Sequence, residues 1–213
     1  MGKLYDSPLE GSSGRTGRYV VVNVGGVEVL RRRPKSTKKP AKPKQLLVRE
    51  RFKEFVNFLS GYKHYAKEFY GKPIKNVSRY SQASANVLLN YIIDYDSNSW
   101  IIDNENIMFS KGNILAPYAI GVSSPATNQI KVDWNDNSGG NVDREVDQVQ
   151  ILIGIDQVSK TFLFENVATR ADQTITLTVP PEFQNKTLAV WIALRDVDRT
   201  NASDSSFLGT VTL

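Results

Sequence analysis

The sequence has no cysteine, a single histidine and no long apolar run. The absence of cysteine excludes a disulfide-stapled scaffold and cysteine-ligated zinc. His64 has no second histidine with which to share a metal ion or a proton-transfer role. No apolar run approaches about 18 residues, so the sequence predicts no membrane-spanning helix. The first residues also lack the apolar core of a signal peptide.

Catalytic motifs are missing as well. Carboxylates cluster within residues 94–105 and 133–147, but neither group has the spacing of an EF-hand. Neither a Walker sequence nor a G-x-G-x-x-G sequence is present, and the serines have no histidine base. Turn formation and surface solvation explain the acidic groups better than metal binding does. We therefore predict a protein that is not an enzyme and that needs no cofactor or metal ion.

Charge is distributed very unevenly along the chain. Residues 1–80 contain 19 Lys and Arg and six Asp and Glu, a net charge of +13. Residues 81–213 contain eight Lys and Arg and 16 Asp and Glu, a net charge of −8. The densest cationic segment, Arg31–Lys44, holds eight cations, three prolines and no acid. It has too little apolar surface to offset the entropy of folding, and its prolines favour an extended basic arm.

The cations of this basic arm (residues 31–44) are the candidate binding residues. Lys and Arg neutralise phosphates and release counterions, which gives sequence-independent and salt-sensitive binding. Consecutive arginines add bidentate phosphate contacts. The residues predicted to bind nucleic acid or an acidic partner surface are Arg31, Arg32, Arg33, Lys35, Lys38, Lys39, Lys42 and Lys44. The alternative interpretation is a solvated linker.

Residues 1–44 form the first of three predicted regions. A glycine-rich lead, GSSGRTG, precedes two β-rich runs, Tyr19–Val24 and Val27–Leu30, which flank Gly25 and Gly26. A two-residue turn of this kind needs positive φ angles, so the pattern predicts a β-hairpin. An isolated hairpin is marginally stable in water. It must therefore pack on the rest of the chain or on a neighbouring subunit.

Residues 45–99 are predicted to form a short pair of helices. The apolar positions at helical spacing in the first helix are Val48, Phe52, Phe55, Val56 and Leu59. Gly61 is placed to end that helix. The second helix begins after Ser78 or Ser81. Its apolar face is predicted to contain Val87, Leu88, Tyr91 and Ile92. Two such helices need a third surface to complete their core.

The apolar period changes to two in residues 100–213. The clearest alternating segments are 130–134, 149–153, 175–179 and 188–192, and shorter runs lie at Ala119–Ser123, Thr161–Phe164 and Phe207–Leu213. Polar, turn-rich stretches separate these segments. Short strands at this spacing predict an antiparallel β-sandwich of about seven strands. The predicted fold class is therefore α+β, with an N-terminal hairpin and basic extended arm, a short helical pair and a C-terminal sandwich.

The third region resembles the fibronectin type III and immunoglobulin-like sandwiches. The resemblance rests on IKVDW at 130–134, the NDNSGG loop after it, the strand at 149–153, and PPEF at 180–183 leading into the strand at 188–194. The cysteine pair of disulfide-bonded immunoglobulin domains is absent. This resemblance implies an architecture and carries almost no information about function.

The whole chain resembles a family of uncharacterised proteins from Bacteroidota and their mobile elements. The matching features are GSSGRTG, RRRP at 31–34, QLLVRERF, FSKGNI, and the WNDNSG, ATR and VPPEF segments of the sandwich. The family has no assigned function, so the resemblance implies architecture and lineage. A terminal basic arm joined to a sandwich is also an organisation common in virion proteins.

Two functions are compatible with these features. In the first, the protein is a structural component of a phage-like virion or another large assembly. The sandwich contacts other subunits, and the basic arm meets nucleic acid or an acidic neighbour. The opposite charges of the two halves favour head-to-tail contact between copies, and thus a homo-oligomer. The alternative is a cytoplasmic, sequence-independent nucleic-acid-binding protein. A surface adhesion module is disfavoured by the missing signal peptide, so we expect a location in a virion or the cytoplasm.

Overall fold

A four-stranded antiparallel sheet forms most of the N-terminal part of the chain. The computed structural model describes residues 2–5, 8–35 and 40–213. Its contacts divide the chain into two units, Met1–Lys42 with Ile74–Asn76, and Pro43–Pro73 with Val77–Leu213. The strands of the N-terminal unit are β1 (Gly2–Lys3), β2 (Gly14–Thr16), β3 (Tyr19–Val24) and β4 (Val27–Arg32), in the spatial order β1-β4-β3-β2.

The predicted hairpin is confirmed as β3 and β4. Gly25 and Gly26 connect these strands with φ angles of 59° and 86°, the left-handed region that glycine enters without strain. The glycine-rich lead contains a strand that the sequence did not predict. Its residues Gly14–Thr16 form β2, which pairs with β3 through a turn at Gly17. The hairpin therefore gains a strand on each side.

The extended basic arm is shorter than predicted. Arg31 and Arg32 belong to β4, and Lys44 lies in the first turn of helix α1 (Pro43–Ser60). The helix begins there because Pro43 has no N–H to lose in a first turn. The segments Arg33–Lys35 and Pro40–Lys42 are described without regular secondary structure. Two of the predicted binding residues, Lys38 and Lys39, lie outside the described residues.

Three helices replace the predicted pair. They are α1, α2 (Lys63–Phe69) and α3 (Arg79–Leu89), and a hairpin of β5 (Tyr91–Asp94) and β6 (Ser99–Ile102) follows them. The Oγ atom of Ser78 accepts a hydrogen bond from the N–H of Ser81 at 3.1 Å, so Ser78 is the cap of α3. The placement of Tyr91 and Ile92 on this helix was wrong, because both lie in β5. None of the helices among the described residues has the length and apolar character needed to cross a membrane.

The buried face of α1 differs from the predicted one. Its buried side chains are Leu47, Phe55, Phe58 and Leu59. The other three predicted core residues, Val48, Phe52 and Val56, are 45%, 57% and 38% exposed. The helix therefore carries apolar side chains over a wider arc than it buries.

The seven predicted strands of the sandwich are confirmed. The strands are β7 (Tyr118–Ser123), β8 (Gln129–Asn135), β9 (Gln148–Ile155), β10 (Thr161–Phe164), β11 (Thr174–Thr178), β12 (Thr187–Arg195) and β13 (Ser206–Thr212). One sheet has the order β11-β8-β7 and the other the order β10-β9-β12-β13. A one-turn helix, α4 (Val142–Glu145), lies between β8 and β9.

The larger sheet of the sandwich is buried on both faces. Leu152, Ala189 and Trp191 pack with the helices in one apolar cluster, and the Trp191 ring lies 6.0 Å from that of Phe58. The alternate residues of β9 and β12 pack with those of β8 in a second cluster. The unit therefore has three layers, and the outer face of this sheet is the third surface that the helices needed. The region predicted at 45–99 thus shares one compact unit with the sandwich.

Candidate polyanion-binding site

The N-terminal unit carries a net positive charge and the C-terminal unit a net negative one. The residues of the N-terminal unit, Met1–Lys42 and Ile74–Asn76, include 11 Lys and Arg and three Asp and Glu, a net charge of +8. The C-terminal unit includes 16 Lys and Arg and 19 Asp and Glu, a net charge of −3. Several of the described cations of the N-terminal unit lie in or beside β2 and β4.

The strand register aligns arginines across this sheet. Arg15 of β2 and Arg31 of β4 are both Cα partners of Val20 in β3. Directly paired residues of antiparallel strands project on the same face, so the two arginines flank Val20. The N–H of Arg33 donates to the carbonyl of Arg18 at 2.8 Å, which continues the pairing. Because side chains alternate along a strand, Arg33 lies on the same face as Arg31.

Two adjoining hollows show how these cations converge. One has a volume of about 430 Å³ and is lined by Arg15, Val20, Arg31, Arg33, Pro34 and Lys35. The other has a volume of about 560 Å³ and is lined by Gly17, Arg18, Arg32, Arg33, Pro34 and Lys35. They share Arg33, Pro34 and Lys35. We refer to Arg15, Arg18, Arg31, Arg33 and Lys35 together as the arginine face. Arg32 alternates with Arg31 and Arg33 and pairs with Tyr19, so it projects to the other side of the sheet.

The cationic groups of the arginine face have no protein partner within the part of the chain that the structure describes. None of their side chains forms a hydrogen bond or an ion pair there. The nearby acid in the sheet, Glu28, accepts from the N–H of Gly11 at 3.0 and 3.1 Å. Alternation places Glu28 on the opposite face from Arg31. The guanidinium donors are therefore available for the bidentate contacts that arginine makes with phosphate or carboxylate.

The structure brings together only some of the predicted binding residues. Arg31, Arg33 and Lys35 lie on the arginine face, and Arg32 lines the neighbouring hollow from the other side of β4. Lys44 belongs to the C-terminal unit, with its Nζ 5.3 Å from the centre of the Tyr95 ring. Lys42 is exposed at the end of the N-terminal unit.

Sequence reasoning missed two members of the arginine face, Arg15 and Arg18. Arg15 lies in the glycine-rich lead, GSSGRTG, and Arg18 directly follows it. A turn at Gly17 is the signal that could have found them, because the chain reverses direction there. Arg15 lies before this turn in β2, and Arg18 lies after it, one residue before β3.

His64 and two of the clustered carboxylates, Asp94 and Asp133, have structural partners. Nε2 of His64 lies 2.6 Å from a carboxylate oxygen of Glu165, and the His64 side chain is 60% exposed. Hydrogen bonds from Ser97 hold the pKa of Asp94 below its usual value, and the hydroxyl of Thr174 does the same for Asp133. Within the described ranges, no group of three or more His, Cys, Asp or Glu side chains is arranged to hold a metal ion.

The chain was also compared with known proteins. A family model described as "Family of unknown function (DUF6266)" matches residues 11–209. The search of curated proteins finds no match. Among solved structures, the fn3 domain of human contactin 1, determined in solution, matches with 15% identity and a TM-score of 0.33. That match covers 49% of this chain and 83% of the contactin domain. The family match extends over both units.

Proposed function

Since the chain belongs to the DUF6266 family, whose description assigns no function, we propose a function from the arginine face itself. The protein is a non-enzymatic component of a phage-like particle or another large assembly. Its N-terminal sheet binds a polyanion, either packaged nucleic acid or the acidic surface of a neighbouring subunit. The sandwich makes the protein–protein contacts. An origin in Bacteroidota or their mobile elements, as the sequence resemblance implies, is compatible with such a particle.

The observation that carries this proposal is the alignment of Arg15, Arg31 and Arg33 on one face of the sheet without protein partners. Arginine is weakly hydrated and presents a rigid fork of donors, so a row of arginines suits repeated phosphate or carboxylate groups. Phosphate contacts of this kind give affinity without sequence preference.

A second feature supports placement in an assembly. Within the described part of the N-terminal unit, Val21 is the buried apolar side chain, at 2% exposure. Tyr19 and Val24 of the same strand are 51% and 53% exposed. A small sheet with so little apolar burial gains stability when a further surface covers it. A neighbouring subunit or a bound polyanion can provide that surface.

Direct binding measurements test the polyanion site. Fluorescence anisotropy with a labelled DNA duplex of random sequence should show binding to the full chain at low salt. The double variant R31A/R33A should weaken binding by about tenfold or more, because it removes two phosphate contacts. The matched control K67A/R144A removes two exposed cations of the C-terminal unit and should leave the affinity unchanged. Equal losses in both double variants would show that net charge alone controls binding.

The arginine face equally supports the second candidate, a free nucleic-acid-binding protein. Sizing of the protein from its native source, at low and high salt, separates the two. A large particle that retains this chain and encloses nucleic acid at high salt supports the assembly component. A small species that releases nucleic acid as salt rises supports the free binding protein.

A further inference from the structure

An apolar groove lies between α1 and α3 in the C-terminal unit. Its walls are formed by Phe52, Phe55 and Val56 of α1 and by Tyr80, Ala85 and Leu88 of α3, and its volume is about 350 Å³. Phe52 is more than half exposed, and so large an aromatic side chain contributes much apolar surface. The residues of the groove belong to the C-terminal unit, and those of the arginine face belong to the N-terminal unit.

The groove continues along α1 beyond Phe52. Val48 precedes Phe52 by four residues, so both side chains lie on the same side of the helix, and Val56 extends the row by another turn. Val48 lines a second hollow with Lys44, Arg49 and Tyr95, with a volume of about 530 Å³. Three turns of α1 therefore present one apolar row that the described part of the chain leaves exposed.

A hydrogen bond joins the two walls, and an aromatic contact orders the α1 wall. The Nη2 atom of Arg51 in α1 donates to the carbonyl of Leu88 in α3 at 2.6 Å. The rings of Phe52 and Phe55 meet edge to face, with centroids 4.7 Å apart. A groove with fixed walls costs a ligand little reorganisation on binding.

A cationic row borders the apolar row. Arg49 directly follows Val48, and Lys53 directly follows Phe52. Both cations are exposed. Neither has a hydrogen-bonding or ion-pair partner among the described residues. The acids of the helix, Glu50 and Glu54, are two residues from Val48 and Phe52, which places them on the far side of α1. The groove is therefore apolar at its base and positive at its open edge.

We propose that this groove docks an acidic amphipathic helix from a partner protein. Apolar side chains at i, i+4 and i+7 of such a helix would occupy the row from Val48 to Val56, as in other helix-in-groove complexes. Acidic side chains beside them would meet Arg49 and Lys53. A second copy of this chain is a poorer occupant, because two-fold antiparallel pairing of α1 would bring the two cationic rows together.

The test uses the full chain and two synthetic helical peptides that match the 18-residue length of α1. One peptide has leucine at alternating three- and four-residue intervals and glutamate elsewhere, and the other has lysine in place of every glutamate. Fluorescence anisotropy should show binding of the glutamate peptide, with the lysine peptide at least about tenfold weaker. R49A/K53A should weaken binding of the glutamate peptide and reduce its dependence on salt.

Variants of the apolar row identify the surface. Phe52→Ala should weaken binding of the glutamate peptide by about tenfold or more, because buried aromatic anchors dominate such interfaces. Val56→Ser should also weaken binding of this peptide, and it changes an exposed position without adding charge. Ile120→Ala, which truncates an apolar side chain that is 61% exposed on β7, should have no effect. Circular dichroism checks the fold of each variant.

Three results would overturn the proposal. The first is no binding of the glutamate peptide, or equal binding of both peptides. The second is binding that Phe52→Ala and Val56→Ser leave unchanged. The third is sedimentation of the wild-type chain as a dimer that Phe52→Ala converts to a monomer, which would assign the groove to a second copy.

Discussion

Buried polar groups in the C-terminal unit differ in whether they have partners. The hydroxyl of Tyr91 donates to Oγ of Ser159 at 3.0 Å, whereas the hydroxyl of Tyr62 is buried without a partner among the described residues. Arg170 is fully buried and lies 2.7 Å from a carboxylate oxygen of Asp147. A buried polar group stabilises a protein only when it is hydrogen-bonded. These residues should therefore respond differently to substitution.

Tyr62→Phe should leave the free energy of unfolding unchanged or raise it by up to about 1 kcal/mol, because it removes an unpaired hydroxyl and keeps the ring. The ring contacts, with Phe58 and Phe109 at 6.1 Å, remain. Tyr91→Phe is the matched control and should lower the free energy of unfolding by about 0.5–1.5 kcal/mol, since Ser159 loses its donor. Urea unfolding measures both. A loss at Tyr62 as large as that at Tyr91 would contradict this assignment.

Tyr62→Phe should also change the stability of the protein at alkaline pH. Burial raises the pKa of Tyr62 well above its usual value near 10. In the unfolded chain the phenol ionises near pH 10, whereas in the folded protein it stays protonated to higher pH. The free energy of unfolding is therefore unaffected by this ionisation below about pH 10, and it falls as pH rises from there through the folded pKa of Tyr62. Tyr62→Phe should unfold less readily above that pH, and identical alkaline profiles would contradict the prediction.

The side chain of Arg170 forms hydrogen bonds with several segments of the C-terminal unit. Its Nη2 also donates to the carbonyl of Leu115 at 3.1 Å, and its Nε donates to that of Arg144 at 3.1 Å. Arg170→Met should lower the free energy of unfolding by about 3–5 kcal/mol, because Asp147 is left buried without its counter-charge. Arg199→Met, which breaks the exposed pair with Glu68, should cost less than about 1 kcal/mol. Similar losses in urea unfolding would contradict this reading.

Secondary-structure elements were predictable where the pattern is local. The strands of the sandwich follow from alternation bounded by polar turns, and the structure places Thr161–Phe164 at the predicted bounds. The buried face of α1 was not predictable in the same way. Apolar residues cover a wide arc of that helix, and only contact with the sheet decides that Phe58 is buried and Phe52 is exposed. Burial of a helix face is a tertiary property.

The arginine face shows the same division between local and long-range information. Arg31 and Arg33 were recognised from the density of charge in one segment. Arg15 was missed because its neighbours in space come from β3 and β4. The pairing register that brings these strands together cannot be read from the sequence of β2 alone. Charge counts along a chain therefore found the region, and strand pairing was needed to find the surface.

The predicted helix end at Gly61 is confirmed, since α1 ends at Ser60, and Gly61 also permits a close approach between elements. A Cβ at this position would lie 2.3 Å from the carbonyl oxygen of Thr161 in β10. The hydroxyl of Thr161 also donates to the carbonyl of Phe58 at 2.5 Å, which holds the end of α1 against the sheet. Gly61→Ala should therefore force backbone movement.

We expect Gly61→Ala to lower the free energy of unfolding by about 1–3 kcal/mol through overpacking. Gly121→Ala in β7 is the control, because a Cβ there meets nothing within 4 Å, and it should change stability by less than about 0.5 kcal/mol. Thermal or urea unfolding of the two variants is the measurement. If Gly61→Ala were as stable as Gly121→Ala, α1 and β10 would not be in the close contact described.

The whole molecule combines two units of opposite net charge. The N-terminal unit carries the arginine face on a sheet with little buried apolar surface, and the C-terminal unit carries the three-layer core and the apolar groove. The stability of the protein is thus concentrated in one unit, and its strongest electrostatic feature in the other. This division is compatible with the proposed role as a polyanion-binding component of an assembly.

The salt dependence of DNA binding tests this account most directly. The logarithm of the binding constant of the full chain for duplex DNA should fall linearly with the logarithm of salt concentration, with a slope of about −0.9 per phosphate contact. R31A/R33A should make that slope shallower by about two contacts, while K67A/R144A should leave it unchanged. A slope that is the same in all three proteins would contradict the assignment of the arginine face as the polyanion-binding surface.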